Sequence, residues 1–205
     1  PTKSRTEFLK RCLGFLNAQN CLFPILIGDS STGKDLQKNK ITVSSFEKLN
    51  IKHIIEEDIT KSLKGWQTDF VTELLPTHIK TKYTALIADD DFFFIDALND
   101  GISFLEKNNN YSFVTGKATI FEMEGAFSNI FPTIQNYPQR GYEIHKTDLR
   151  LYYFLDNYSV QEYGISRTTQ LKKRWQILRE ANLDNLSSEV LNCLMTIAQG
   201  KTYRI

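Results

Sequence analysis

The sequence predicts an α/β fold, with a Rossmann-like mixed central sheet flanked by helices, folded as a single domain over residues 1–205. Segments with helical apolar spacing alternate with short apolar runs of strand character, and such alternation builds a sheet through crossover connections. Hydrophobic residues make up 41% and charged residues 24%, enough apolar side chains for one sizeable core. No Pro/Gly/Ser-rich stretch divides the chain.

The first helix is expected over residues 6–16, where Phe8, Leu9, Cys12, Leu13 and Leu16 recur at helical spacing. Residues 22–27 (LFPILI) form an apolar run that delivers the polar turn Gly28-Asp29-Ser30-Ser31, with Pro24 marking an edge or bulge. A weaker strand follows at 52–56, then a helix at 65–75 stopped by Pro76, and a buried strand at 83–88 (YTALIA). A helix is predicted over 95–108 with Ile95, Leu98, Ile102 and Leu105 on one face, and a strand over 111–121. Helices are expected over 148–157, 169–181 and 186–199, the last stopped by Gly200, before the strand-like end Thr202-Tyr203-Arg204-Ile205.

Composition excludes several classes. Lys and Arg number 25 against 24 Asp and Glu, so the surplus of positive charge that drives phosphate-backbone binding is absent and no nucleic-acid partner is expected. No apolar run approaches the ~20 residues of a membrane span, and no signal-peptide hydrophobic region opens the chain. Cys12, Cys21 and Cys193 are odd in number and scattered, which fits free thiols in a reducing compartment. A cytoplasmic location, or one at the inner membrane surface, is expected. The absence of an initiator Met and the abrupt ends suggest a piece of a longer chain.

The chemistry concentrates at Asp89-Asp90-Asp91, directly after the 83–88 strand. Ligands of open α/β sheets bind beyond the carboxyl ends of strands. Three adjacent carboxylates repel one another, and a hard divalent cation such as Mg2+ or Mn2+ would relieve that repulsion while sharing its remaining positions with phosphates. The alternative is a solvated turn capping the helix that starts near Ile95.

Leu86-Ile87-Ala88-Asp89-Asp90-Asp91 followed by Phe92 to Leu98 resembles the Asp-x-Asp segment of GT-A-fold glycosyltransferases, particularly the inverting family 2. The opening Pro1-Thr2-Lys3-Ser4-Arg5-Thr6-Glu7-Phe8-Leu9 is similar to that family's Pro-Thr-x-Asn-Arg-x-x-x-Leu, and Ile25 to Ser31 to its second strand, which ends in Asp. Near the C-terminus, Ser187-Ser188-Glu189 opens a helix running to Gly200, in the form of the family's Glu-Asp base helix.

The resemblance implies a GT-A fold and an inverting, metal-dependent transfer from a nucleotide sugar, a UDP-sugar by expectation, to a glycan or lipid-linked acceptor. It implies Thr2, Arg5, Asp29, Asp89 and Asp90 in the donor pocket, with Asp29 recognising the base. Asp91 and Asp89 would hold the divalent cation, Mn2+ or Mg2+, and Glu189 would be the catalytic base, with Asp184 and Asp148 as substitutes. Ser4 stands where the family usually has Asn, the Arg-Asn pair before the metal strand is replaced near Thr72 and Glu73, and the base site has one acid instead of two. Lys61, Lys64, Lys80 or Lys82 would supply phosphate contacts, with nothing in the sequence to choose among them.

Other patterns are weaker. Gly28 to Lys34 fits the first seven positions of a P-loop, but the eighth is Asp35, which would repel phosphate, and 35–43 lacks an apolar helical face. His53, His78 and His145 show no metal-ligand spacing. Tyr152, Tyr153, Phe154 and Tyr158 read as core more than as a sugar platform. Two rivals to transfer remain: a non-catalytic nucleotide-sugar or carbohydrate binding module of the same fold, and a sugar nucleotidyltransferase, whose usual glycine-rich basic loop is missing from residues 1–19.

Overall fold

A computed structural model describes residues 1–56, 75–122 and 133–205. The helix expected at 65–75 falls outside the described residues up to position 74, as do Lys61, Lys64, Thr72 and Glu73.

Helix α1 (Thr6–Ala18) turns Leu9, Cys12, Leu13 and Leu16 inward. They pack with Ile27 of strand β1 (Ile25–Asp29) and with Leu49 in one apolar cluster. Each such side chain taken fully from water contributes about 1.5–3 kcal/mol. β1 starts at Ile25, after Pro24, which has no amide to offer a ladder, and leaves Leu22 exposed. It pairs in parallel with β2 (Ile51–Ile55), Ile25 opposite Ile51 and Asp29 opposite Ile55.

The crossover between them corrects the sequence reading, because residues 33–44 do form a helix, α2 (Gly33–Ser44). Its buried residue is polar: Asn39, which donates to Asp29 Oδ2 and Ser31 Oγ at 3.0 Å each and accepts from Thr6 Oγ1 at 2.6 Å. A helix held by an amide anchor is invisible to a search for apolar periodicity. With a helix in place, Asp35 alone, which would repel phosphate, sets residues 28–35 apart from a phosphate loop.

Beyond the short helix α3 (Leu75–His78), strand β3 (Tyr83–Ala85) is shorter than the run of 83–88 suggests. Helix α4 (Ile95–Lys107) lays Leu98, Ile102 and Leu105 against Val114 and Ile165. The strand expected over 111–121 is two, β4 (Tyr111–Thr115) and β5 (Ala118–Glu122), separated at Gly116-Lys117. β5 leaves the main sheet to pair antiparallel with β6 (Thr133–Tyr137). Then come α5 (Thr147–Asp156), β7 (Ile165–Arg167), α6 (Thr168–Ala181), α7 (Asn185–Gln199) and β8 (Lys201–Arg204).

The main sheet runs β3-β7-β4-β8, mixed in direction: β7 is antiparallel to both neighbours and β4 is parallel to β8. Thr2 lies between this sheet and the β1-β2 pair. It bridges Asp29 in parallel, and its hydroxyl donates to Asp89 Oδ2 at 2.6 Å. The carboxyl ends of β1, β3 and β4 and the start of the reversed β7 thus meet at one edge, where Thr115 Oγ1 donates to the Tyr163 carbonyl at 3.3 Å. All three cysteines are buried and free. No helix among the described residues is long and apolar enough to cross a membrane.

Candidate active site

The acidic turn after β3 is organised from α1. Arg5, just ahead of that helix, sends Nη1 to Asp89 Oδ1 at 3.1 Å and Nη2 to Asp90 Oδ2 at 2.6 Å. Asp89 is buried, with Thr2 on its other oxygen, whereas Asp90 is exposed. Thr2, Arg5, Asp89 and Asp90 therefore form one cluster from two segments far apart in sequence.

Asp91 is placed differently. It is exposed and has no ion-pair partner among the described residues. Desolvation by the surrounding protein, then the charge of Asp90, push its carboxyl above the ordinary Asp value; Arg5, committed to the other two acids, offsets this least. A carboxylate crowded by like charge and without an ion-pair partner among the described residues fits a hard divalent ion, which would take Asp91 directly. Asp89, engaged by Arg5 and Thr2, is less free to ligate. Among the described residues no three His, Cys, Asp or Glu side chains converge as a ready-made metal cage.

Asp29 is enclosed. Its oxygens accept from Ser31 N at 2.9 Å, Asn39 Nδ2 at 3.0 Å and His53 Nε2 at 2.9 Å. Burial alone would raise its carboxyl, but the His53, Ser31 and Asn39 donors outweigh burial and hold it below the usual Asp range. A nucleobase could reach this carboxylate only by displacing one of those donors; as it stands, Asp29 shapes the pocket through the Ser30-Ser31 turn, where Ser31 Oγ also accepts from Ser4 N at 2.7 Å. His53 is thus a partner of Asp29, a pairing no spacing rule foresees. Of the candidate phosphate lysines, Lys82 is paired with Glu106 at 2.6 Å.

Across the sheet edge stands the expected base. Glu189, on α7, is half-buried, and its Oε1 accepts from the Tyr158 hydroxyl at 2.7 Å. On the same helix Cys193 and Ile197 are fully buried while Leu186 is exposed. The substitutes are elsewhere: Asp184 caps α7 by accepting from Ser187 N at 3.0 Å, and Asp148 is an exposed first-turn acid of α5. Phe154 is core as expected, whereas Tyr152, Tyr153 and Tyr158 are exposed, and Tyr158 hydrogen-bonds Glu189.

The sequence gives no hint of Glu162, which lies just before β7. Burial, then the charge of Glu189, raise its carboxyl to about 7. Next to it Tyr163 joins the two acidic groups: burial first, then the charges of Glu162, Asp91, Glu189 and Asp90, push its phenol upward. Asp91 and Glu189, read from segments nearly a hundred residues apart, therefore act on the same side chain.

No family profile and no curated protein matches the chain. Among solved structures it is similar to the crystal structure of residues 1–349 of TarS from S. aureus, a staphylococcal wall teichoic acid glycosyltransferase, with a TM-score of 0.67 at 18% identity. The fold is similar to that of TarS. The match covers 100% of this chain and 56% of the TarS structure, so the chain spans little more than half the length of that neighbour. The clustering of Arg5, Asp89 and Asp90 beyond the carboxyl end of β3 lies where ligands of open α/β sheets are held.

Proposed function

We propose that the chain transfers a sugar from a nucleotide-sugar donor, with UDP-sugars the donor class, to a hydroxyl of a glycan or lipid-linked acceptor, inverting the anomeric centre. The observation that carries this reading is the cluster of Thr2, Arg5, Asp89 and Asp90 at the carboxyl edge of the sheet, in a fold similar to that of TarS.

Asp91, with Asp89 beside it, would hold Mn2+ or Mg2+, and such a cation supplies Lewis-acid stabilisation of the leaving diphosphate. Thr2 and Arg5 both hold the acidic turn, and the half-exposed guanidinium of Arg5 can turn a donor toward phosphate oxygens. Glu189 accepts the proton of the acceptor hydroxyl as that oxygen forms its bond to the anomeric carbon from the face opposite the diphosphate. The old carbon–oxygen bond breaks with its electron pair leaving on the nucleoside diphosphate, so configuration inverts.

A thermal-shift panel of UDP, GDP, CDP and CMP, with and without Mn2+, on wild type and Asp91→Asn tests the reading. Ligand at 100 times its Kd adds about 2.7 kcal/mol, or roughly 5–10 °C for a domain of this size. The expected result is a Mn2+-dependent shift with UDP that the variant loses; an Asp91→Asn protein that keeps both the shift and donor turnover refutes the metal assignment. A shift without release of UDP from UDP-sugars would favour a binding module.

A further inference from the structure

A cleft of about 310 Å3, which the proposed chemistry leaves unused, opens at the end of the main sheet away from the acidic turn; Gln139, Arg140, Gly141, Glu143, Tyr153 and Arg204 line it. The strand order β3-β7-β4-β8, with β3, β4 and β8 running the same way, puts Arg204 on the carboxyl edge with the acids but three strand spacings from them, about 14 Å. Residues 139–142 lie along the outer edge of β8. Tyr142 exchanges backbone hydrogen bonds with Thr202 at 2.9 and 3.1 Å, and Arg204 Nη1 donates to the Gln139 carbonyl at 3.0 Å. Gly141 permits that approach, since a Cβ there would lie 3.1 Å from Arg204 N. The fully buried Gln161 donates from Nε2 to the Arg140 carbonyl at 3.2 Å and ties the segment to the loop before β7.

Two guanidiniums thereby share one cleft, and neither forms an ion pair with a described residue. The acid on the wall, Glu143, is engaged elsewhere, its Oε2 accepting from the Tyr111 hydroxyl at 2.5 Å. Gln139 adds an observation of a different kind. It is 5% exposed, and its Oε1 is a buried acceptor without a hydrogen-bond donor. A buried acceptor left unpaired is destabilising, and a hydroxyl entering the cleft would satisfy it. Tyr153 of α5, 39% exposed and set edge-on to Tyr142 at 6.0 Å, supplies an aromatic wall.

We propose that this cleft is a second ligand site, and that it takes the phosphate ester of a sugar or polyol. Phosphate is favoured over carboxylate by the number of donors. Each guanidinium presents a planar fork, the free oxygens of a phosphate ester can meet both forks, and the two oxygens of a carboxylate are satisfied by one. A hydroxyl of the ester donates to Gln139 Oε1, and its carbon–hydrogen face rests on Tyr153. A volume at the small end of ligand sites suits one such unit. The site does not rest on the transfer reading, because neither the acidic turn nor α7 lines it.

Calorimetric titration of the metal-free protein with glucose 1-phosphate, glycerol 3-phosphate, inorganic phosphate and glucuronate tests this, on wild type, Arg140→Gln, Gln139→Leu and Arg5→Gln. Wild type is expected to bind one of the two esters several-fold more tightly than inorganic phosphate, the preferred ester telling sugar from polyol, and to bind glucuronate more weakly than either phosphate ligand. Arg140→Gln should weaken that ester and inorganic phosphate about tenfold at an unchanged melting temperature, since Arg140 is an exposed side chain. Gln139→Leu should keep the affinity for inorganic phosphate and lose the preference for the ester, also at no cost in melting temperature, because the oxygen it removes has no donor to lose. Arg5→Gln should titrate as wild type does. Absence of ester binding by wild type overturns the site, as does binding that survives Arg140→Gln or falls in Arg5→Gln instead. Glucuronate bound as tightly as the ester, or a Gln139→Leu protein that keeps the wild-type preference, overturns the ligand assignment. Donor turnover and the Mn2+-dependent shift decide the transfer reading separately, and its failure leaves these titrations unchanged.

Discussion

Arg5 divides a single guanidinium between Asp89 and Asp90, so its one positive charge offsets half of theirs and acts least on Asp91. Removing Arg5 should separate metal from nucleotide. In Arg5→Gln, Mn2+ alone is expected to bind more tightly, because two acids lose their counter-charge, while UDP at saturating Mn2+ binds more weakly; calorimetric titration of each reads the two effects, and parallel weakening of both would show that Arg5 only props the turn. Asp29 makes a contrasting prediction. Its carboxyl is held below the ordinary Asp value, so the stability it contributes is fully present above about pH 4 and fades as pH falls through the lowered value. Asp29→Asn should cost about 1–3 kcal/mol in urea unfolding at pH 7, and the gap to wild type should close in acid. These residues differ in how legible they were. Asp89 to Asp91 could be read because a strand ending in acids is a local pattern. Glu162 could not, since its raised carboxyl comes from burial in the fold and then from the charge of Glu189 on a later helix.

Elements built on apolar periodicity were legible and those built on polar anchors were not. Helices α1, α4, α6 and α7 fall within a residue or two of where the spacing puts them. Helix α2 was missed because Asn39 does the work of an apolar face, and β7 because three residues with a serine in the middle carry no pattern. Asn39→Leu should leave Asp29 and Ser31 each short of a donor and cost about 1–3 kcal/mol, with hydrogen exchange in α2 rising before exchange in α7. The entry to β7 is equally specific. A Cβ on Gly164 would lie 2.6 Å from the Val114 carbonyl oxygen and 2.5 Å from the Phe113 ring, and a backbone oxygen in a central strand cannot step aside. Gly164→Ala should destabilise by about 1–3 kcal/mol and displace the neighbouring Tyr163 and Glu162, so that loss of turnover accompanies the lowered melting temperature.

At the scale of the molecule, two sheets are joined through Thr2, which bridges Asp29 of one and hydrogen-bonds Asp89 beyond the other. Apolar packing crosses the same boundary, with Ile87 and Ile95 resting on the α1 cluster and Leu26 and Ile54 on the α6 cluster. The polar stitching at the carboxyl edge is sparse by comparison: Thr2, Arg5 and their acids, which are also the groups assigned to the donor. A bound diphosphate with its cation would act there as a rivet between two plates. Its effect would be read as mechanical stiffness far from the pocket, with amides of β2 and β8, at opposite margins of the molecule, slowing their exchange together when the ligand enters.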